Sequence, residues 1–428
     1  MFKNICTYQN KEFGILLRNI LLIFLLYINQ SVFSQSTLSG KVISADDKKP
    51  LVSVSIYLSN TSIGVNTNSN GIFSFNNFPS GKYQLVVSHI GYETFTKLIN
   101  SKNLPQEINI ELKQKSTQLP DVVLEPFEAY GWEKWGTLFT DMFIGTSSYA
   151  RDCELKNPEA VKFRFSKTNN TLTAVAYAPL VIENKGLGYE IEYKMEDFEY
   201  DFSKKIVIYN GYPLFKDLSQ KFPSKAKRWE EKRRNVYYGS VMHFMRSLFA
   251  HKLEEEGYEL RSLALIPNLK KERAKSLLKN GEDKIQSKTD STYTIQNGTL
   301  KLITEATDST AYYKKYLKQP DLIVSHEVIK TDSSISFAID SSTLSVFSID
   351  SFEVNYLHKD VPIEYKRTSL QHRFEKIPVS QFTFINHKPI FVMSNGYYYG
   401  PYDLKISGFW GWWETLATLL PYDYLPPK

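Results

Sequence analysis

The chain has 428 residues, 52 Lys and Arg against 46 Asp and Glu, and a formal net charge of +6. So small a surplus over that length leaves no electrostatic footprint for nucleic acid. The length is enough for two or three domains with real cores.

Residues 1–34 read as a secretory leader. Lys3, Lys11 and Arg18 make a basic start, an apolar run covers residues 15–28, and Val32 and Ser34 place small side chains before Gln35. The clean apolar core, residues 20–28, is too short to span a bilayer, which needs roughly 20 residues. Cleavage after Ser34 is expected, and with it export. The leader carries a net +2 and removes Cys6, so Cys153 becomes the only thiol. One thiol forms no internal disulfide, and stability must come from packing. The 28 Tyr and 27 Phe favour strands.

Residues 35–113 alternate with period 2. Leu38, Gly40, Val42 and Ser44 begin the pattern, and Val52, Val54, Ile56 and Leu58 follow. Ile72 to Phe75, Tyr83 to Val87, Phe95 to Ile99 and Ile108 to Leu112 complete it. Asp46-Asp47, Asn70-Gly71, Pro79-Ser80-Gly81 and Gly91-Tyr92 punctuate the runs, and Asn70-Gly71 predicts a type I′ hairpin. Short strands at such spacing predict a seven-stranded β-sandwich.

The order Gly40-x-Val42, Pro50-Leu51, Val54-x-Ile56, Gly64, Thr67-Asn68, Gly71-x-Phe73-x-Phe75, Pro79-x-Gly81-x-Tyr83-x-Leu85 and Gly91-Tyr92 is similar to the carboxypeptidase-regulatory-like domain. The resemblance implies a transthyretin-like or prealbumin-like sandwich, as found beside metallocarboxypeptidases and at the N-terminus of many Bacteroidota outer-membrane receptors. It implies an accessory module with no peptidase activity. Asn68 stands where the family often has Asp, and Asn serves the same turn chemistry.

A polar linker with Pro120 and Pro126 covers residues 114–127. Residues 128–428 are expected to form a larger antiparallel β-rich α+β domain, making the chain mainly β. Trp132, Trp135, Leu138, Phe139 and Phe143 form a helical stripe that Gly145 stops. Strand-like runs follow at residues 161–166, 171–177, 189–193 and 206–209. Residues 225–256 predict one long helix, with Ser240 capping its second half and Gly257 ending it. Strands return over residues 292–384, with turns at Asp308-Ser309, Asp332-Ser333, Asp340-Ser341 and Asp350-Ser351. Pro179-Leu180-x-Ile182-x-Asn184 and Leu187-Gly188-Tyr189, with Tyr238-Gly239-Ser240 and His243-Phe244, resemble the downstream region of Bacteroidota envelope proteins that share the N-terminal module. No activity comes with that resemblance.

Catalytic patterns are weak. His251-x-x-Glu254 has the spacing of a zinc pair, but it sits beside a solvent-facing acidic run. No His-Glu-x-x-His, Gly-x-Ser-x-Gly or phosphate loop occurs. Asp152 and Glu154 disfavour a Cys153 thiolate. No catalytic residue, metal ligand or cofactor is therefore assigned. A carboxylate pair for hydrolysis needs no local motif, so an envelope hydrolase remains the alternative. A membrane barrel fits poorly, since Lys314, Lys315 and Lys318 fall in or beside a strand-like run.

The expectation is an exported, non-enzymatic protein of the periplasm or outer membrane that binds a protein or glycan partner and no nucleic acid, with peripheral membrane association. Leu187, Gly188, Tyr189, Trp410, Trp412 and Trp413 are its candidate binding residues. The tryptophans suit a sugar platform or an interfacial anchor. Packed against the main domain, they would instead seal its core.

Overall fold

The computed structural model describes residues 36–115, 125–279, 291–296, 299–304, 315–329, 334–399 and 403–427. The leader, most of the linker, the turns at Asp308 and Asp332 and the run around Lys314 lie outside the described residues. The chain is mainly β and divides into two compact units. One comprises Met1–Tyr57 and Gly64–Gln118, the other Leu58–Ile63 and Leu119–Lys428.

The sandwich has seven strands: β1 (Leu38–Ser44), β2 (Ser55–Leu58), β3 (Gly64–Asn66), β4 (Ile72–Phe75), β5 (Lys82–Ser88), β6 (Phe95–Asn100) and β7 (Gln106–Leu112). They form two sheets, ordered β4-β1-β7 and β3-β2-β5-β6. β1 runs parallel to β7 and antiparallel to β4. Leu38 and Val42 are fully buried and alternate with outward residues, as the period-2 pattern requires. Gly40 is demanded by closeness, because a Cβ there would lie 1.8 Å from the Ile108 carbonyl oxygen.

The Asn70-Gly71 turn differs from the expected I′ hairpin. Only Gly71 takes positive φ, at 72°, and β3 and β4 belong to different sheets. Asn68 closes the turn instead, its Oδ1 accepting from the N–H groups of Asn70 and Ile72. A side-chain acceptor two residues upstream replaces the second left-handed residue that I′ needs.

The second unit opens with α1 (Gly131–Phe143), over a six-stranded antiparallel sheet. That sheet holds β8 (Cys153–Leu155), β9 (Val161–Ser166), β10 (Thr171–Ala176), β11 (Leu180–Asn184), β12 (Tyr189–Asp201) and β13 (Ile206–Asp217). β12 and β13 outrun the predicted strands and pair along nearly their whole length, through an irregularity between Met195 and Asp197. The α1 stripe lands on this sheet, with Phe139 4.8 Å from Phe198 and Phe143 4.9 Å from Tyr193, centroid to centroid.

The single long helix expected over residues 225–256 is two helices, α2 (Pro223–Tyr237) and α3 (Val241–Phe249). Gly239 breaks them at φ 83°, where a Cβ would strike the Tyr356 ring at 2.7 Å. Ser240 caps α3 as predicted, accepting from His243 N–H at 3.1 Å. α3 stops before Gly257, and His251 turns left-handed at φ 55°.

Two further four-stranded antiparallel sheets complete the unit. One joins Tyr258–Ser262, Phe352–Tyr356, Val379–Phe384 and Leu404–Gly408. The other joins Ser336–Asp340, Thr343–Val346, Ile390–Met393 and Tyr398–Tyr399. Within residues 292–384, the short strand Leu322–Val324 pairs with Leu265–Pro267.

Candidate functional site

Leu187 and Gly188 sit between β11 and β12 and Tyr189 opens β12, and all three are buried rather than displayed. Leu187 is fully buried and Tyr189 is 2% exposed. Arg233 of α2 binds this loop from within. Its Nε donates to the Leu187 carbonyl at 2.7 Å and its Nη2 to that of Gly188 at 3.0 Å. Asp217 receives the fork at 2.8 and 3.0 Å. The guanidinium lies 3.9 Å from the Tyr189 ring centroid. Gly188 takes φ 70°, and a Cβ there would meet the Trp229 ring at 2.2 Å. The loop is therefore a socket for a buried arginine, since an isolated cation inside a core needs such partners.

The tryptophans pack in the same sense. Trp410 is 2% and Trp413 3% exposed. Trp410 Nε1 donates to the Gly239 carbonyl at 2.7 Å, and Trp413 stacks on Phe409 at 5.4 Å. Trp412 alone keeps part of its surface, while its Nε1 donates to Thr146 Oγ1 at 3.0 Å. A sugar platform needs an open indole face, so the geometry seen for Trp410 and Trp413 is that of a sealed core.

What the helix Phe409–Trp413 does position is Glu414. Glu414 N–H donates to the Trp410 carbonyl at 2.9 Å, and its side chain lines a partly enclosed cavity of about 230 Å³. Tyr193 of β12, Tyr209 of β13, Tyr398 and Tyr422 share the wall. Among the described residues the hydroxyls of Tyr209, Tyr398 and Tyr422 have no hydrogen-bond partner. These three and Glu414 lie deep in the unit, yet each retains accessible surface. That combination is what the wall of a chamber shows.

Burial dominates the proton affinities. It lifts the Glu414 carboxyl to about 7, against a weaker pull downward from the Val241 N–H and the Lys359 charge. It lifts Tyr209 to about 12, with help from Glu414, and pushes Tyr398 and Tyr422 upward as well. The phenols stay protonated and can both donate and accept. Lys359 is driven down to about 8 by burial, opposed by Glu414. Its Nζ donates to the Asn235 carbonyl at 2.6 Å.

Other chemistry is not assembled. His251 and Glu254 fall in turns beyond α3, and no group of three or more His, Cys, Asp or Glu able to hold a metal ion occurs among the described residues. Cys153 is held up at about 12 by burial and by Asp152. His243 is buried and structural. Its Nδ1 accepts from Gly239 N–H at 3.2 Å and lies 2.9 Å from Tyr258 Oη, and its Nε2 lies 3.1 Å from Glu256. Sequence reasoning missed Glu414, although a lone carboxylate within the apolar run of residues 409–420 was its signal.

Residues 38–124 match the family described as CarboxypepD_reg-like domain. Among solved structures, the chain is similar to the major pilin subunit BcpA of Bacillus cereus, at 13% identity over 19% of this chain and 31% of that one, TM-score 0.17. It is also similar to a Bacteroides fragilis protein of unknown function, provisionally described as membrane-associated, at 14% identity over 37% and 64%, TM-score 0.15. A Bacteroides uniformis protein, provisionally described as carbohydrate-binding, is 11% identical over 43% and 80%, TM-score 0.15. The chain spans less than two thirds of the first two structures' own lengths. No curated protein matches it. With seven strands in two sheets, Gly40 pressed on Ile108 and Asn68 closing its turn, residues 38–124 belong to the CarboxypepD_reg-like domain family.

Proposed function

We propose that this is an exported, non-enzymatic cell-envelope protein that binds a glycan through the Glu414 cavity. The leader-like N-terminus and the CarboxypepD_reg-like domain support the envelope. No helix among the described residues is long and apolar enough to cross a membrane. The cavity carries the binding reading. Glu414 and three tyrosines whose hydroxyls have no hydrogen-bond partner among the described residues line about 230 Å³. Polar groups on such a wall bond either to water or to a ligand that displaces it. The space would hold roughly eight waters at ~30 Å³ each, or one sugar ring. A sugar offers donors and acceptors to the hydroxyls and apolar faces to the rings. It also brings no charge to be desolvated.

One observation favours a hydrolase instead. A carboxyl held near 7 is what a general acid requires. Glycoside hydrolysis needs a second carboxylate about 5–10 Å away, and among the described residues Glu414 is the only one on the cavity wall. Ligand-observed NMR of monosaccharides and envelope glycan fragments separates the readings. Binding that disappears in Tyr398→Phe and Glu414→Gln supports the cavity. Binding unchanged in both variants sinks it, and turnover of any sugar would favour the hydrolase.

A further inference from the structure

The segment around residues 363–376 displays large apolar side chains that are exposed among the described residues. Phe374 is 84%, Leu370 80% and Ile363 57% exposed. Local contacts tie the segment together. Tyr365 is buried and stacks on His372 at 4.2 Å and 13°. Thr368 Oγ1 donates to the Tyr365 carbonyl at 2.7 Å and lies 2.8 Å from His372 Nδ1. Gln371 N–H donates to Ser369 Oγ at 3.1 Å. Leu370 lies in the turn these contacts close, and Phe374 ends the 3-10 helix His372–Phe374 that follows it.

Their charged neighbours have one dominant sign. Arg367, Arg373 and Lys376 are exposed and have no ion-pair partner among the described residues. The acids are less available. Glu364 pairs with Arg151 at 3.5 Å, and Glu375 is half-buried. Along the chain, Arg373 falls between Leu370 and Phe374, and Arg367 and Lys376 flank them, whereas the centre of a protein interface is depleted of Lys. These side chains fit a surface that is apolar inside and anionic at its face.

We infer that the turn bearing Leu370 and Phe374 docks the protein on an anionic lipid surface, the two side chains entering the acyl boundary while Arg367, Arg373 and Lys376 meet the headgroups. This rests on neither the cavity nor its ligand.

Vesicle co-sedimentation tests it, with the chain from Gln35 onward so that the apolar leader is absent. Binding to phosphatidylglycerol-containing vesicles is expected, with much weaker binding to pure phosphatidylcholine. The Leu370→Ser, Phe374→Ser double variant should lose about tenfold or more in binding. An Arg367→Gln, Arg373→Gln, Lys376→Gln triple variant should lose the preference for anionic lipid and its salt sensitivity. Both variants should melt like the parent, because every substituted side chain is exposed. Failure to bind either vesicle overturns the inference, as does equal binding by parent and double variant. A parent indifferent to lipid charge also overturns it.

Discussion

Val241 N–H donates to Glu414 Oε1 over 3.0 Å, so the carboxyl on the cavity wall sits at the first turn of α3. A helix N-terminus favours an anion by roughly 0.3–1 kcal/mol. Burial still wins, and the carboxyl rises from 4.5 to about 7.

The pH dependence follows from that rise. Between about 4.5 and 7 the folded chain holds a proton that the unfolded chain has lost. The Glu414 contribution is therefore whole below about pH 4.5 and lost as pH climbs through about 7. A shift of that size is worth about 3 kcal/mol at most. Glu414→Gln should flatten this fall in urea unfolding curves collected across that range. Lys359, depressed from 10.5 to about 8, acts with the opposite slope and only above about pH 8. An unchanged slope in Glu414→Gln would place the titration elsewhere.

Trp413→Ala should cost about 3–5 kcal/mol, the usual loss for a buried large aromatic. Trp412→Ala should cost clearly less, because Trp412 is part-exposed while Trp413 is 3% exposed. Equilibrium denaturation of the two variants checks the order. Equal and small losses would reopen the surface reading of the cluster.

Arg233→Met should destabilise by about 3 kcal/mol or more, since it strips donors from Leu187 and Gly188 and leaves Asp217 unpaired. Asp217→Asn should cost less, because that side chain is 42% exposed. A harmless Arg233→Met would show that the socket does not hold α2 to the sheet.

Cys153 should alkylate slowly in the native protein. With its thiol held near 12 rather than 9, its thiolate at about pH 8 is scarcer by roughly a thousandfold. Iodoacetamide labelling followed by intact mass, with and without urea, measures the difference. Rapid native labelling would mean an accessible, acidic thiol.

Much of the local architecture was legible before folding. The period-2 runs located β1 and β9, the aromatic stripe located α1, and Ser240 marked the start of α3. These features depend on neighbours within a few residues, where backbone geometry and side-chain alternation act directly. Gly239 shows the limit of such reading. Its φ of 83° breaks the helix against Tyr356, more than a hundred residues away. The glycine and the Ser240 cap were visible in the sequence, but the Tyr356 ring packed against Gly239 was not.

The site lay beyond local reading for the same reason. Leu187, Gly188, Tyr189, Trp410, Trp412 and Trp413 are residue types that serve a binding face or a core equally well. Burial by α2, the Arg233 fork and the Gly239 carbonyl put all but Trp412 inside. The cavity draws Tyr193, Tyr209, Tyr398, Glu414 and Tyr422 from strands and a C-terminal segment widely separated along the chain. Residue identity therefore located several strands, the sandwich family and the cap. Which aromatics face a chamber, and which carboxyl keeps its proton near neutrality, depended on long-range packing. Desolvation is a property of everything that surrounds a group, and no short stretch of chain contains it.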